Sequence, residues 1–176
     1  SYTTLPITVH LACRNPLPYI KPRIANGADY IAIHYEAETD IETAFQQIRR
    51  LGAKPVLAFR CDTQVPKDFI KLAAHSEWIL KLSVQPGFSG QLFQKEALQH
   101  IVQMKQLLLE AKLDKVIEAD GNIHTGTIHS CAKAGATMFT GGTSGLFHQK
   151  HSIDESIALL EQAIASGGIS NGIDNE

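Results

Sequence analysis

Cysteine is scarce: three residues in 176, at positions 13, 61 and 131, with no C-x-x-C spacing. That excludes a disulfide-stapled secreted scaffold and a zinc-finger-type site, and it fits a reducing compartment, so a cytoplasmic location is expected. Cys13, Cys61 and Cys131 are read as small buried hydrophobes. No apolar run approaches the roughly 18–20 residues that span a bilayer. The opening SYTTLPITVH also lacks the basic start and apolar core of a signal peptide. Positive charge shows no excess, since 16 Lys and Arg stand against 18 Asp and Glu for a net charge of -2. A nucleic-acid or acidic-membrane surface is therefore excluded, and small-molecule partners are expected. Aromatics are only 7% of the chain, and the single tryptophan, Trp78, is assigned to the core.

What is present is the composition of a soluble globular protein, 44% hydrophobic and 19% charged, long enough for one domain with a sizeable core. Six short β-prone runs recur along it: PITVHLA, ADYIAIHYE, KPVLAF, EWILKLSV, DKVIEAD and ATMFTGG. Between them lie helical stripes, such as Ile41, Phe45 and Ile48, then Ala97, Ile101, Met104 and Leu108. Two S/T-x-x-E boxes, Thr39 to Glu42 and Ser152 to Glu155, mark helix starts. ANGAD, RLGAK and KAGAT each end a helix on Gly and lead straight into a strand, the return leg of a βα unit. A single domain over residues 1–166 is expected, followed by a flexible polar tail over 167–176.

Alternating strands and helices imply a parallel sheet covered by helices, either an open doubly wound sheet or a (β/α)8 barrel. Groups with chemistry end several strands: His10, His34 with Glu36, Ser83, Glu118 with Asp120, and Thr140. Chemistry spread over many strand ends favours the barrel, because an open sheet gathers it at one switch point.

His10 lies inside an apolar run and Asp120 closes a strand that enters a Gly turn. Burying either group is costly unless it is paired or bound to a cation. Two readings stay open at this point, a hydrogen-bonded His–Asp pair without metal and one half of a divalent-metal site. Three Gly turns, PGFSG, DGN and GGTSG, follow three of the later strands. Backbone N–H groups in such turns hold phosphate, and barrel enzymes use the loops after their last two strands in this way, here with a hydroxyl such as Thr143 or Ser144. His34 and Glu36 are assigned to supporting hydrogen bonds, and His148, Lys150 and His151 to a solvated loop.

The motifs VHLACRNP, GADYIAIHYEA, SVQPGFSGQLF, EADGNI and AGATMFTGGTSGLF, in that order, resemble those of the ribulose-phosphate 3-epimerase family over Ile7 to about Phe147. The resemblance implies a (β/α)8 barrel of the ribulose-phosphate-binding type, with about six of the eight βα units in this chain. It also implies one divalent metal (Zn, Fe, Mn or Co), a sugar-phosphate substrate, and a homo-oligomer. The implied reaction inverts the carbon beside the carbonyl of a ketose phosphate, such as D-ribulose 5-phosphate to D-xylulose 5-phosphate, through an enediolate.

Position by position, the resemblance makes His10 a metal and substrate ligand and Asp120 both a metal ligand and a catalytic acid/base. Gly87, Phe88, Ser89 and Gly90 correspond to a first substrate loop, Gly121 and Asn122 to a second, and Gly142 with Thr143 to a third. The sequence departs from the pattern at Ser89 and Asn122, where the family has Gly, and at Ala12 and Leu82, where it has Met. The family's Ser and His-x-Asp strands, which give two further ligands and the opposite acid/base, have no counterpart in these residues. Two alternatives differ in chemistry: a non-catalytic sugar-phosphate-binding relative, and a lyase or decarboxylase on the same scaffold using Lys81.

Overall fold

The computed structural model describes residues 3–87, 90–147 and 149–165. Phe88, Ser89, His148 and the polar tail lie outside the described residues. The elements alternate strictly: β1 (Thr8–Leu11), α1 (Leu17–Ala25), β2 (Tyr30–His34), α2 (Ile41–Arg50), β3 (Lys54–Phe59) and α3 (Phe69–Ala74) form the first half. β4 (Ile79–Leu82), α4 (Glu96–Glu110), β5 (Ile117–Asp120), α5 (Thr125–Ala134), β6 (Met138–Thr140) and α6 (Ile153–Ala165) follow. Gly27, Gly52 and Gly135, the glycines of the three recurring turns, all take positive φ, which lets the chain reverse from helix to strand without a Cβ clash.

The six strands form one sheet in chain order, every neighbouring pair parallel. A doubly wound sheet would reverse its order at a switch point; this one never does. Its curl follows from one distance. β1 and β5 are four strand spacings apart, about 19 Å in a flat sheet at the usual separation, yet His10 Nδ1 lies 3.8 Å from Asp120 Oδ2. The sheet is a large arc of a (β/α)8-type barrel, with His10 and Asp120 on its concave side.

Side-chain alternation sorts the core into two layers. Ala32, Val56, Ala58, Leu80 and Leu82 face inward as one cluster, and the small Ala residues leave room for the curl. Ile31, Ile33, Leu57, Phe59 and Ile79 face outward into the larger core, where Phe45, Ile48, Ile101, Met104 and Leu108 form the predicted helical stripes. Burial is complete on both faces of β4, whereas β1 and β6, at the two ends of the order, are half-exposed.

Of the two expected capping boxes, the one at Ser152 forms reciprocally: Ser152 N–H donates to Glu155 Oε2 (2.8 Å) and Glu155 N–H to Ser152 Oγ (3.2 Å). The one at Thr39 does not. Thr39 is held in the preceding turn by its N–H on the Ala37 carbonyl, and Asp40 caps α2 instead, accepting from Thr43 N–H at 2.7 Å. α5 is capped by an imidazole, since His124 Nδ1 accepts from Gly126 N–H at 3.0 Å.

Lys81 shares the outward face of β4 with Ile79 and is fully buried. Its ammonium donates to the carbonyls of Arg60 (2.6 Å) and Thr63 (2.7 Å), pinning the loop after β3. Burial pulls its pKa down to about 8, against the opposing charge of Glu36. Above that value the unfolded chain, with its lysine at the ordinary 10.5, binds more protons than the folded one. Stability from this group therefore rises with pH between about 8 and 10.5, by at most about 1.4 kcal/mol per pH unit. Urea unfolding of the wild type against Lys81→Met across this window should show the variant losing ground as pH rises. A difference that stays flat with pH would refute the buried ammonium.

Candidate active site at the strand ends

The inward-facing residues at the C-terminal ends of β1, β2 and β5 meet. His10 Nε2 and His34 Nε2 are 2.7 Å apart, with the rings nearly coplanar in orientation at 9° and centroids 4.8 Å apart. On its other side, His34 Nδ1 lies 2.9 Å from Glu36 Oε2, and Glu36 Oε1 accepts the Arg60 backbone N–H at 2.9 Å. Burial alone would raise the Glu36 carboxyl, but the hydrogen bonds from His34, Thr63 and Arg60 outweigh it and hold the pKa near 2.

An ionised Glu36 selects the His34 tautomer with hydrogen on Nδ1. The two Nε2 atoms share one hydrogen, and His10 Nδ1 is turned toward Asp120. Burial, and next the neighbouring His34, push the His10 pKa down to about 4, so the ring is neutral at neutral pH. The Asp120 carboxyl moves the opposite way, to about 6, through burial and then the charge of Glu118, partly offset by His34. Glu118 sits two residues below on the same face, buried, with Trp78 Nε1–H donating to Oε2 (2.6 Å) and the Thr140 hydroxyl to Oε1 (2.5 Å).

A cavity of about 430 Å³ opens above this row. It is lined by every described residue of the sequence-predicted set: His10, Gly87, Gly90, Asp120, Gly121, Asn122, Gly142 and Thr143. Phe88 and Ser89 lie outside the described residues. Ser83 ties the loop after β5 in place, its hydroxyl reaching the carbonyls of Asp120 (3.0 Å) and Gly121 (2.5 Å). Gly121 has φ +117°, and a Cβ there would meet Val84 Cγ2 at 2.5 Å. Gly142 is different: a Cβ there would meet nothing within 4 Å, so its bareness leaves room on the cavity side.

Several expectations change in detail. His10 and Asp120 are close, but 3.8 Å is too long for a hydrogen bond, and His10 bonds His34 instead. His34 and Glu36 do act as supports. Lys81 points into the helix layer with its ammonium bound to two carbonyls, away from the cavity. Trp78 is half-buried, tilted against Tyr30, and its indole N–H holds Glu118. Cys61 and Cys131 are buried, burial pushing the Cys131 thiol up to about 12, while Cys13 is half-exposed. Arg60 and Gln85 went unmarked as partners of the site, and Glu118 was marked only as a strand-end group beside Asp120.

As a metal site the arrangement is open. His10 Nδ1 and Asp120 Oδ2 have the right donor chemistry for a borderline transition metal, but two donors do not close a coordination shell. Among the described residues no group of three or more His, Cys, Asp or Glu could hold a metal ion. Likewise, among these residues no helix is long and apolar enough to cross a membrane.

Comparison with solved structures gives the same fold. 3-Hexulose-6-phosphate synthase from Salmonella typhimurium superposes with a TM-score of 0.62 at 14% identity, covering 94% of this chain and 76% of that one. Orotidine 5'-phosphate decarboxylase from Pyrococcus horikoshii OT3 gives 0.61 at 15%, covering 93% and 76%. At such identities the likeness concerns the fold alone. In sequence, ribulose-phosphate 3-epimerase of Aquifex aeolicus is 32% identical over 147 residues, 84% of this chain and 65% of that protein. The enzyme of that name from Serratia marcescens is 36% identical over 148 residues, 83% and 69%. The one from Mycobacterium tuberculosis H37Rv is 30% identical over 142, 81% and 62%. The chain thus spans about two thirds of the length of these relatives. The family model described as the Ribulose-phosphate 3 epimerase family matches residues 1–147. The chain, five-sixths of it matched by that model, belongs to the ribulose-phosphate 3-epimerase family.

Proposed function

We propose that this chain carries the phosphate-binding and one-sided acid/base half of a metal-dependent epimerase, which inverts the carbon beside the carbonyl of a ketose phosphate such as D-ribulose 5-phosphate. The observation that carries the reading is convergence: two strand ends and three loops, distant in sequence, bring eight residues to one cavity. Asp120 takes the proton beside the carbonyl on one face. A carboxyl whose pKa is near 6 is mostly ionised at neutral pH and still basic enough to accept a proton. Glu118, held by Trp78 and Thr140, keeps the negative charge beneath Asp120 that helps set this value.

The loops at Gly121–Asn122 and Gly142–Thr143 hold the phosphate, with the bare Gly142 permitting close approach. His10, its ring held by the Glu36–His34 chain, orients the carbonyl end of the substrate. A divalent metal held in part by His10 and Asp120 would supply Lewis acidity beside that carbonyl. The remaining donors and the opposite acid/base group are on no described strand of this chain.

Purified protein incubated with D-ribulose 5-phosphate and a divalent metal in D2O is expected to place deuterium beside the carbonyl, and a chelator should stop it. Sugar-phosphate binding without exchange would instead support the non-catalytic relative. Asp120→Asn should abolish exchange while changing phosphate affinity by less than about tenfold, since the phosphate loops are separate groups; equal loss of both would make Asp120 structural.

Two glycine variants separate binding from folding. Gly142→Ala should keep the wild-type unfolding midpoint yet weaken sugar-phosphate binding about tenfold or more, as read by calorimetry. Gly121→Ala should lower the midpoint, because it combines positive φ with the Val84 clash. Unchanged affinity in Gly142→Ala would remove this loop from the site.

A further inference from the structure

A side cavity of about 170 Å³ adjoins the front one beyond His10. Its walls come from the C-terminal ends of β1, β2 and β3 and the loops after them, with Cys13, His34, Glu36 and Arg60 among them. The proposed phosphate loops follow β5 and β6, so the two sets of walls lie toward opposite ends of the strand order. Ala12 and Pro86 line both spaces, and both are exposed. On the β1 side the boundary between the cavities is therefore a methyl group.

The charges in these walls are mixed. Glu36 is ionised between His34 and the Arg60 backbone N–H. The Arg60 guanidinium forks onto Asp62, at 3.2 and 3.1 Å, and Arg14 pairs with Glu38 at 2.6 Å. A second phosphate would face the Glu36 carboxylate and cations that already have carboxylate partners, and an apolar group would desolvate all of these charges. A hydroxyl both donates and accepts, which suits walls that carry guanidinium N–H groups and carboxylate oxygens together. Size agrees, since the cavity is several times the roughly 30 Å³ share of one water molecule. Arg60 also donates to Gln85 Oε1 at 3.3 Å, tying this wall to the loop after β4 that lines the front cavity.

We propose that the front and side cavities together take a 3-ketose phosphate, a sugar that keeps the carbonyl-to-phosphate spacing of D-ribulose 5-phosphate and carries one further hydroxylated carbon on the other side of the carbonyl. With the phosphate at the loops after β5 and β6 and the carbonyl beside His10, the added hydroxymethyl group passes Ala12 into the side cavity. The assignment rests on the sugar-phosphate reading of the front cavity and specifies which end of the substrate can be longer. D-Fructose 6-phosphate has its extra carbon between carbonyl and phosphate instead, and gains nothing from the side cavity.

The test is calorimetric titration of the full chain, in the presence of a divalent metal, with D-ribulose 5-phosphate, D-fructose 6-phosphate and the six-carbon 3-ketose 6-phosphate that shares the D-ribulose configuration between carbonyl and phosphate. The 3-ketose is expected to bind about tenfold tighter than D-ribulose 5-phosphate, and D-fructose 6-phosphate no tighter. Ala37 lines the side cavity and not the front one, so Ala37→Leu should cancel the 3-ketose gain and leave D-ribulose 5-phosphate binding as it was. Cys13 supplies a readout on the unaltered chain, being a half-exposed thiol in the side-cavity wall while Cys61 and Cys131 are buried. The 3-ketose at saturation should slow iodoacetamide labelling of Cys13 several-fold, and D-ribulose 5-phosphate should not. Equal affinity for these two sugars with equal labelling of Cys13, or an equal gain for D-fructose 6-phosphate, would overturn the side-cavity assignment and leave sugar-phosphate binding in place. No binding of any of these sugars would overturn the front-site reading and this assignment with it.

Discussion

The curl of the parallel sheet is the constraint on which the rest depends. Without it, His10 on β1 and Asp120 on β5 would be separated by three intervening strands; with it they are 3.8 Å apart. The curl has a local cause in the inward row of β2 and β3, where Ala32 and Ala58 replace the bulky residues of the outward row, Ile31, Ile33, Leu57 and Phe59. Small side chains inside and large ones outside bend a sheet toward its small side, and the helices then cover the swollen convex face. The same bend lifts the loops after β4, β5 and β6 over the mouth, so the phosphate turns and the titratable row share one cavity.

Within that frame, the order of the site is set from the second and third strands toward the first. Lys81, buried in the helix layer, holds the carbonyls of Arg60 and Thr63. Arg60 N–H then fixes Glu36, Glu36 fixes the His34 tautomer, and His34 fixes His10. Each bond leaves the next group one orientation. A charge on the outside of the sheet thus stands at the start of the chain of bonds that ends at His10 on the inside.

The elements were legible because their signals are local. The β-prone runs, the apolar stripes and the Gly returns depend on residues a few positions apart, and the six strands appear where those runs stand. Asp40 displaced Thr39 as the cap of α2 because the preceding turn had already committed Thr39, a competition that a four-residue pattern does not contain. The candidate site was legible at its strand ends and glycines, again local features. Its partners were not: the Trp78–Glu118 bond joins residues 40 apart, and the His10–His34 contact joins residues 24 apart. Such pairs exist only once register and curl are known. Lys81 illustrates the same limit, since one residue of alternation decides whether a lysine on β4 faces the cavity or the helices.

Asn122 shows how a departure from the family resemblance is reconciled with the fold. Its φ is +49°, in the left-handed region that glycine enters freely and asparagine enters more readily than other side chains. The backbone of the loop is therefore kept where Gly is replaced, and only the space above it changes. Asn122 lines the front cavity. Supporting and cavity-facing charged groups differ in the same way. Lys81, Glu36 and Glu118 are each held by two or more hydrogen bonds and serve as supports, whereas Asp120 faces the open front cavity. The partly desolvated Asp120 carboxyl is left open where a ligand can supply its partner, which places the functional demand of this chain at the front cavity.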